Sequence, residues 1–575
     1  MQYPKLIDCL VSQSYETLRK YLGQNLVDQL QSEWETVNGP LTKKRLAEMI
    51  IHLNGVTLLK NPAFRNDVIM HMHPKDVESV FALLPAAKRA GAVSLQEKAA
   101  AIAALSWTNS SANLKLLGIL GIDPSIFETA SESIEFFVTH QADKRFFELL
   151  DYQFVIKQRI LTELNRPFPL QRMLVHMPTG TGKTKTAMHT LVHYYNFTLK
   201  KEGAVIWIAH TVELLQQAYN TFSNVWQHLG DGKIDTYKLW GKAKIVVSQD
   251  EFRGIMFCSI QKLQSIRQNQ PELFLQIVKD ARLIVFDEAH KVAATETRQL
   301  IDELMSIPPQ GKDRSLLGLT ATPGRATLTS EENKLLSNIF ENRLIGIDIN
   351  VINQVNMSQA AYLNHPTETN IIRYFQTANI LAKIKKEQLI YTERFTPAQL
   401  QSIQTQMLEN GYVDFSRAAL EIIGQNRSRN AAIMDRLRKL SVDQMPTIVF
   451  ACSVAHAKLL SFMLSLEHIP NALVLGEMAA VDRAESISAF KDRDNPINIL
   501  INYEVLTTGF DSTNIQCVFI TRPTQSIVLY SQMLGRGLRG PMMGGNKECL
   551  LIDIKDNLGR FDANMAFNHF DTYWS

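Results

Sequence analysis

The stretch PTGTGKT sets Pro178, Thr179, Gly180, Thr181, Gly182, Lys183 and Thr184 between an apolar run and an amphipathic helical pattern. In a strand, glycine-rich loop, helix arrangement, the free N–H groups of the loop and of the helix start converge on one spot. An anion binds there. Gly180 and Gly182 allow close backbone approach, Lys183 reaches the β- and γ-phosphates of a nucleotide, and Thr184 offers its hydroxyl to Mg2+. The full P-loop pattern asks for glycine at position 177, where this chain has Met177. A buried strand followed by a tight turn would also use glycine.

A second feature strengthens the phosphate reading. DEAH, residues 287 to 290, ends the apolar run LIVF. At a strand end Asp287 can hold Mg2+ through its waters, and Glu288 can orient or deprotonate a water facing the γ-phosphate. Acids after a strand are commonly only solvated. Their occurrence behind a P-loop, on successive strands of one domain, favours chemistry.

The elements that must position these residues fall into two regimes. Residues 1 to 148 predict an all-helical accessory domain, with Leu18, Leu22, Leu26 and Leu30 recurring every fourth residue and no strand-like alternation. Its 15 Lys and Arg against 16 Asp and Glu leave no basic footprint for nucleic acid. From about 150, short apolar runs (MLVHM, AVIWIA, IMFC, LIVF, LLGLT) alternate with amphipathic helices, the signature of a parallel sheet covered on both faces. A second such series (TIVFA, ALVL, INILI, IQCVFI, CLLID) follows from about 446. The predicted fold is α/β, two parallel-sheet domains in tandem at 149–325 and 441–575. A helical insert at 326–440 lies between them, with one helix opened by a Thr329-x-x-Glu332 capping box.

Composition excludes other classes. The net charge is +3 over 575 residues, so any nucleic-acid surface is local. Three of the five cysteines lie in apolar runs, the pattern of small buried hydrophobes rather than of a metal site or disulfide framework. The pair His71 and His73 lacks acidic or cysteine partners for a metal. No run approaches the length of a membrane span and the start lacks a leader pattern, so a cytoplasmic location is expected.

Taken in order, DYQ (151–153), PTGTGKT, IAHTVELLQQ (208–217), CSIQKL (258–263), DEAH, LTATP (319–323), VFACSVAHA (449–457), LTTGFD (506–511) and QMLGRGLR (532–539) resemble the motifs of superfamily 2 helicases and translocases of the DEAD/DEAH type. The resemblance spans about residues 150 to 555 and implies RecA-like domains with ATP and Mg2+ in the cleft between them. Arg536 and Arg539, from the second domain, would meet the charge building on the γ-phosphate, with Gln532 lining the same cleft. The alternative for the two arginines is a solvated pair on a helix. By the same resemblance Gln153 reads adenine, although a surface glutamine is the other reading, and Gly509 and Asp511 join the ATP site. His290, Thr320 and Thr322 would link phosphate state to domain movement. Thr211, Ser259 and Thr507 would contact nucleic-acid phosphates, or serve only as caps and strand residues.

TAT in place of serine-alanine-threonine, Met533, and the GRGLRGP and LLIDIKDN ending look more like restriction-enzyme motor subunits than RNA helicases. That favours double-stranded DNA, with RNA as the alternative, and a defence or restriction setting. Residues 1–148 would then recruit a protein partner, a nuclease or specificity subunit. The competing reading is an ATP-driven switch that uses the helical domain to recruit or release a protein.

Overall fold

A computed structural model describes residues 3–38, 41–89, 91–124, 135–142, 148–166, 171–241, 243, 251–309, 314–321, 331–348, 371–392, 395–408, 414–478, 480–507, 509–510 and 512–556. Thr322, Thr329 and Asp511 lie outside the described residues.

The apolar runs form strands because wholly apolar segments of four to seven residues are satisfied only when both faces are covered. The first sheet holds β1 (Phe137–Gln141), β2 (Gln171–His176), β3 (Ala204–Ala209), β4 (Lys233–Leu239), β5 (Gly254–Ser259), β6 (Ala281–Asp287), β7 (Ser315–Thr320) and β8 (Leu344–Ile345), in the order β1-β4-β5-β3-β6-β7-β2-β8. All its pairings are parallel except β1 with β4. The second sheet holds β9 (Lys383–Leu389), β10 (Thr447–Phe450), β11 (Asn471–Val474), β12 (Ile499–Asn502), β13 (Cys517–Ile520) and β14 (Glu548–Ile554), in the order β11-β12-β10-β13-β14-β9, all parallel. Central strands such as β3, β6 and β13 are buried along their whole length.

Two expectations need correction. The stretch 1–148 is not wholly helical, since β1 lies within it and extends the first sheet. Its sequence FVTHQ carries no apolar face because an edge strand with no buried residue needs none. Nor is 326–440 a purely helical insert: β8 belongs to the first sheet and β9 to the second. Lys383, Lys385 and Lys386 hide β9 from a hydrophobic reading and suit an edge, where charge discourages pairing with another chain.

The helices of the amino-terminal region join the second sheet domain rather than standing apart. Helix Lys43–Asn54 packs on helix Val454–Leu466, with His52 Nε2 2.9 Å from Ser461 Oγ. One continuous apolar core runs from Leu6, Leu46 and Phe64 through Leu420, Leu437 and Leu460 to Phe519 and Ile552. A second apolar layer crosses the seam between the sheet domains, from Tyr152, Met188 and Trp207 through Phe375 and Leu381 to Leu538 and Val518. All five cysteines are free and buried. His73 caps helix Pro74–Phe81, and His71 Nδ1 lies 2.9 Å from Gln13 Nε2, so both histidines have local structural partners.

The shared core predicts that calorimetry of the full chain will melt the amino-terminal helices and the second sheet domain in one transition. An early, separate transition that disappears on removal of residues 3–124 would contradict this. Asp553 supplies a pH test. Burial, reinforced by Asp556, pushes its carboxyl to about 8, with Tyr530 and Arg429 pulling the other way. The native state then binds a proton that the unfolded chain releases near the usual 3.8, so this group's contribution is lost as pH rises toward about 8. Asp553→Asn should flatten the decline in unfolding midpoint across that window, as measured by denaturant titration.

Candidate active site at the seam of two lobes

Where the strict pattern asks for glycine, Met177 follows directly on the end of β2 and stays tied to β7. Its N–H donates to Thr320 O at 3.1 Å and its side chain is in the core. Pro178 O then accepts from Thr181 Oγ1 at 2.7 Å, closing the turn. Gly182 caps helix Lys183–His193 with φ +80°, a left-handed conformation costly for any side chain; a Cβ there would also fall 2.4 Å from Gln153 Nε2. Thr184 sits in the first helical turn, beside Lys183.

Lys183 and the end of β6 meet in a buried triad. Lys183 Nζ lies 3.1 Å from Asp287 Oδ1 and 2.9 Å from Glu288 Oε1. Burial opposes the ammonium, but the two carboxylates more than offset it and raise its pKa. Burial alone would lift Glu288; Lys183, His290 and Lys291 instead hold it down, to about 2. Asp287, buried beside a second carboxylate, is pushed upward despite Lys183. Glu288 has φ +54°, an uncommon backbone for a side chain of this size, and its Oε2 is buried without a hydrogen bond. His290 Nδ1 is 3.4 Å from that oxygen and 3.5 Å from Thr320 Oγ1, so one imidazole sits between the β6 and β7 strand ends.

The second lobe reaches this triad. Gly535 faces the loop so closely that a Cβ would stand 2.1 Å from Thr179 Cγ2. Arg536 follows, donating to Phe510 O, to Thr507 O at 2.8 Å and to Gln532 O at 3.3 Å. Burial draws its pKa down to about 10, and the Glu288 carboxylate, near enough to act electrostatically, pulls it back up. Arg539 is largely buried, which lowers its pKa, and its backbone bridges to Leu381. Gln532 is half-buried beside them.

Other sequence-predicted residues fall into two groups. Gln153 is fully buried, with Oε1 accepting from Leu150 N at 3.0 Å and Nε2 donating to Thr181 O at 3.0 Å; here it buttresses the loop. Thr211 and Ser259 cap helices Val212–Leu229 and Ile260–Asn269 at the carboxyl ends of β3 and β5, and Thr507 Oγ1 donates to Glu504 O at 2.6 Å. Gly509 abuts Glu213 and Leu214 of the first lobe. Arg483 lies 3.7 Å from Glu213, a charge pair across the same junction.

Sequence reasoning missed His210, whose ring packs edge-on against Phe286 with centroids 5.6 Å apart. Its Nε2 is buried without a partner, and burial, with Lys291 and His290, lowers its pKa to about 3. The signal was its place beside Thr211. Among the described residues no group of three or more His, Cys, Asp or Glu forms a metal cluster. The oxygen donors of Thr184 and Asp287 suit a hard cation that arrives on a phosphate rather than one held in a protein cage.

Comparison with known proteins fits this layout. Residues 146–325 match the family described as type III restriction enzyme, res subunit, and residues 429–540 match the helicase conserved C-terminal domain. IRC3 of Saccharomyces cerevisiae, named as an ATP-dependent helicase, is 23% identical over 396 residues, 67% of this chain and 48% of that protein. The irc3 protein of Schizosaccharomyces pombe, named as a mitochondrial ATP-dependent helicase, is 26% identical over 397 residues, 69% and 55%. The ATP-dependent DNA helicase mph1 of Aspergillus fumigatus is 31% identical over 176 residues, 30% and 14%. The chain thus spans about half the length of the two irc3-type relatives. With both domains matched in order and set on tandem parallel sheets, the chain carries the two domains of a superfamily 2 helicase and resembles restriction-enzyme motor subunits.

Proposed function

We propose that this protein is an ATP-dependent helicase or translocase acting on DNA, with ATP hydrolysed at the seam between its two sheet domains. The observation that carries the reading is Glu288: one oxygen bonded to Lys183, the other buried and unbonded, with Arg536 of the opposite lobe within electrostatic reach.

The chemistry follows from competition for charge. A triphosphate entering the loop draws the Lys183 ammonium toward its β- and γ-oxygens. Glu288 then loses its nearest cation and its proton affinity rises, which is what a general base for water requires. Arg536 is bonded to neutral carbonyls, and a charged phosphate oxygen is the stronger acceptor. Its transfer from Thr507 O and Phe510 O to the phosphate ties nucleotide state to LTTGFD, which abuts the first lobe at Glu213. Thr184 and Asp287 would hold Mg2+, which would supply charge neutralisation on the phosphates. Thr320, through His290, transmits the state of Glu288 to β7.

The capped helix starts at Thr211 and Ser259, together with Thr507, form the nucleic-acid track in this reading, binding phosphates through hydroxyls and backbone N–H groups. Such contacts suit a chain with little net charge and carry no base identity. DNA is favoured over RNA by the resemblance to restriction motors and by the name of the mph1 relative. Residues 1–148 are assigned to protein recruitment, a nuclease or specificity chain in a defence setting and a reducing, cytoplasmic compartment. Because the helices among them share a core with the second lobe, those helices would move with it, which also suits the switch alternative.

Steady-state ATPase assays with duplex DNA, single-stranded DNA and RNA test the reading, followed by strand- and triplex-displacement. Duplex DNA should stimulate turnover and triplex displacement should follow; stimulation without movement on any substrate would favour the switch. Glu288→Gln should keep nucleotide affinity while turnover falls by about 10² to 10⁴. Arg536→Ala should lower turnover by about 10³ to 10⁵. Full activity in either variant would remove that residue from the mechanism.

A further inference from the structure

The segment between the lobes touches both halves of the site. Helix Ile371–Thr377 ends below the loop, and Phe375, fully buried, sets its ring edge-on to Tyr152 with centroids 4.9 Å apart at 62°. Tyr152 in turn donates its hydroxyl to Thr181 O at 2.6 Å, inside the phosphate loop. On the other side, Phe375 O accepts from Ile380 N at 2.8 Å and Leu381 N at 3.0 Å. Leu381 lies on Gly180, its Cδ2 3.2 Å from where a Cβ would stand.

The residues that Phe375 holds are stitched by backbone to the arginine segment. Ala382 N donates to Leu538 O at 2.8 Å, Gly540 N to Ile380 O at 2.9 Å and Met542 N to Asn379 O at 2.9 Å, around the antiparallel bridge of Leu381 with Arg539. A continuous path therefore runs from the Thr181 carbonyl through Tyr152, Phe375 and Leu381 to the backbone of Leu538, Arg539 and Gly540. Every side chain on it is packed, so a displacement at one end has no slack to be absorbed in.

We infer that Phe375 is a positioning residue for hydrolysis, which transmits the geometry of the phosphate loop through the interlobe segment to the arginine segment. The inference rests on the proposed ATPase reading. Tyr152 is the reporter on the loop side, since its hydroxyl and the Gln153 amide both donate to the same Thr181 carbonyl. A change of loop shape on phosphate binding thereby reaches Arg539 without passing through Lys183 or Glu288.

A transmitting residue and a mere packing residue separate kinetically. Phe375→Ala should bind AMP-PNP with Mg2+ within about threefold of wild type, while kcat falls at least about tenfold. Tyr152→Phe, which keeps the ring and loses the Thr181 bond, should show the same split more weakly. Loss of affinity and rate together would make the contact simple packing and overturn the inference. Because a buried phenylalanine can be needed for folding, the wild-type protein gives an independent measurement by hydrogen exchange. AMP-PNP with Mg2+ should slow exchange at the Ile380, Leu381 and Ala382 amides along with the loop. Protection of the loop alone would overturn the inference and leave the hydrolysis reading intact. Absence of loop protection, with no ATP turnover on any polynucleotide, would sink the reading on which it rests.

Discussion

One ammonium answers two carboxylates at the heart of this molecule, and the rest of the site is arranged around that shared charge. Lys183 bridges Asp287 and Glu288 at 3.1 and 2.9 Å in a largely buried place. Buried ions of one sign would be intolerable there, and a buried pair is strongly destabilised when one partner is withdrawn. An anion of comparable charge entering the loop can draw Lys183 away. The same geometry that holds the site together in one state is thus one that a polyphosphate would change.

Much of this was legible in the sequence because the chemistry needed contiguous residues. The loop from Pro178 to Thr184 and the DEAH step are local, and each follows an apolar run, MLV in β2 and LIVF in β6, whose pattern is hard to mistake. The strands that escaped notice, β1, β4, β8 and β9, either border the sheet or lie next to its border and carry charged or exposed residues. Their identity comes from pairing with a neighbour, which no local pattern encodes. The arginine segment was legible as a motif, yet its partners Phe510 and Thr507 were not. Phe375 and Leu381 were illegible for a related reason: an apolar residue in a helix or turn reads as core, and only the fold reveals that this core lies beneath a phosphate loop.

His210 shows the limit from another side. It stands next to a residue singled out for nucleic-acid contact, and its unbonded Nε2 is directed into the protein, where Glu288 and His290 bear on its charge. A single histidine after a strand carries no mark beyond its place beside Thr211. Burial and neighbours make it a neutral imidazole, and neither is written in one dimension.

The amino-terminal helices share a core with the second lobe, yet the strand that follows them, β1, is zipped onto the first. The polypeptide therefore passes between the lobes twice, once before β1 and again between β8 and β9. Topologically the two halves form a closed ring of covalent and folded connections. A single backbone cut in either crossing leaves the halves attached through the other, so this engine is hinged like a hoop rather than like a pair of beads on one string.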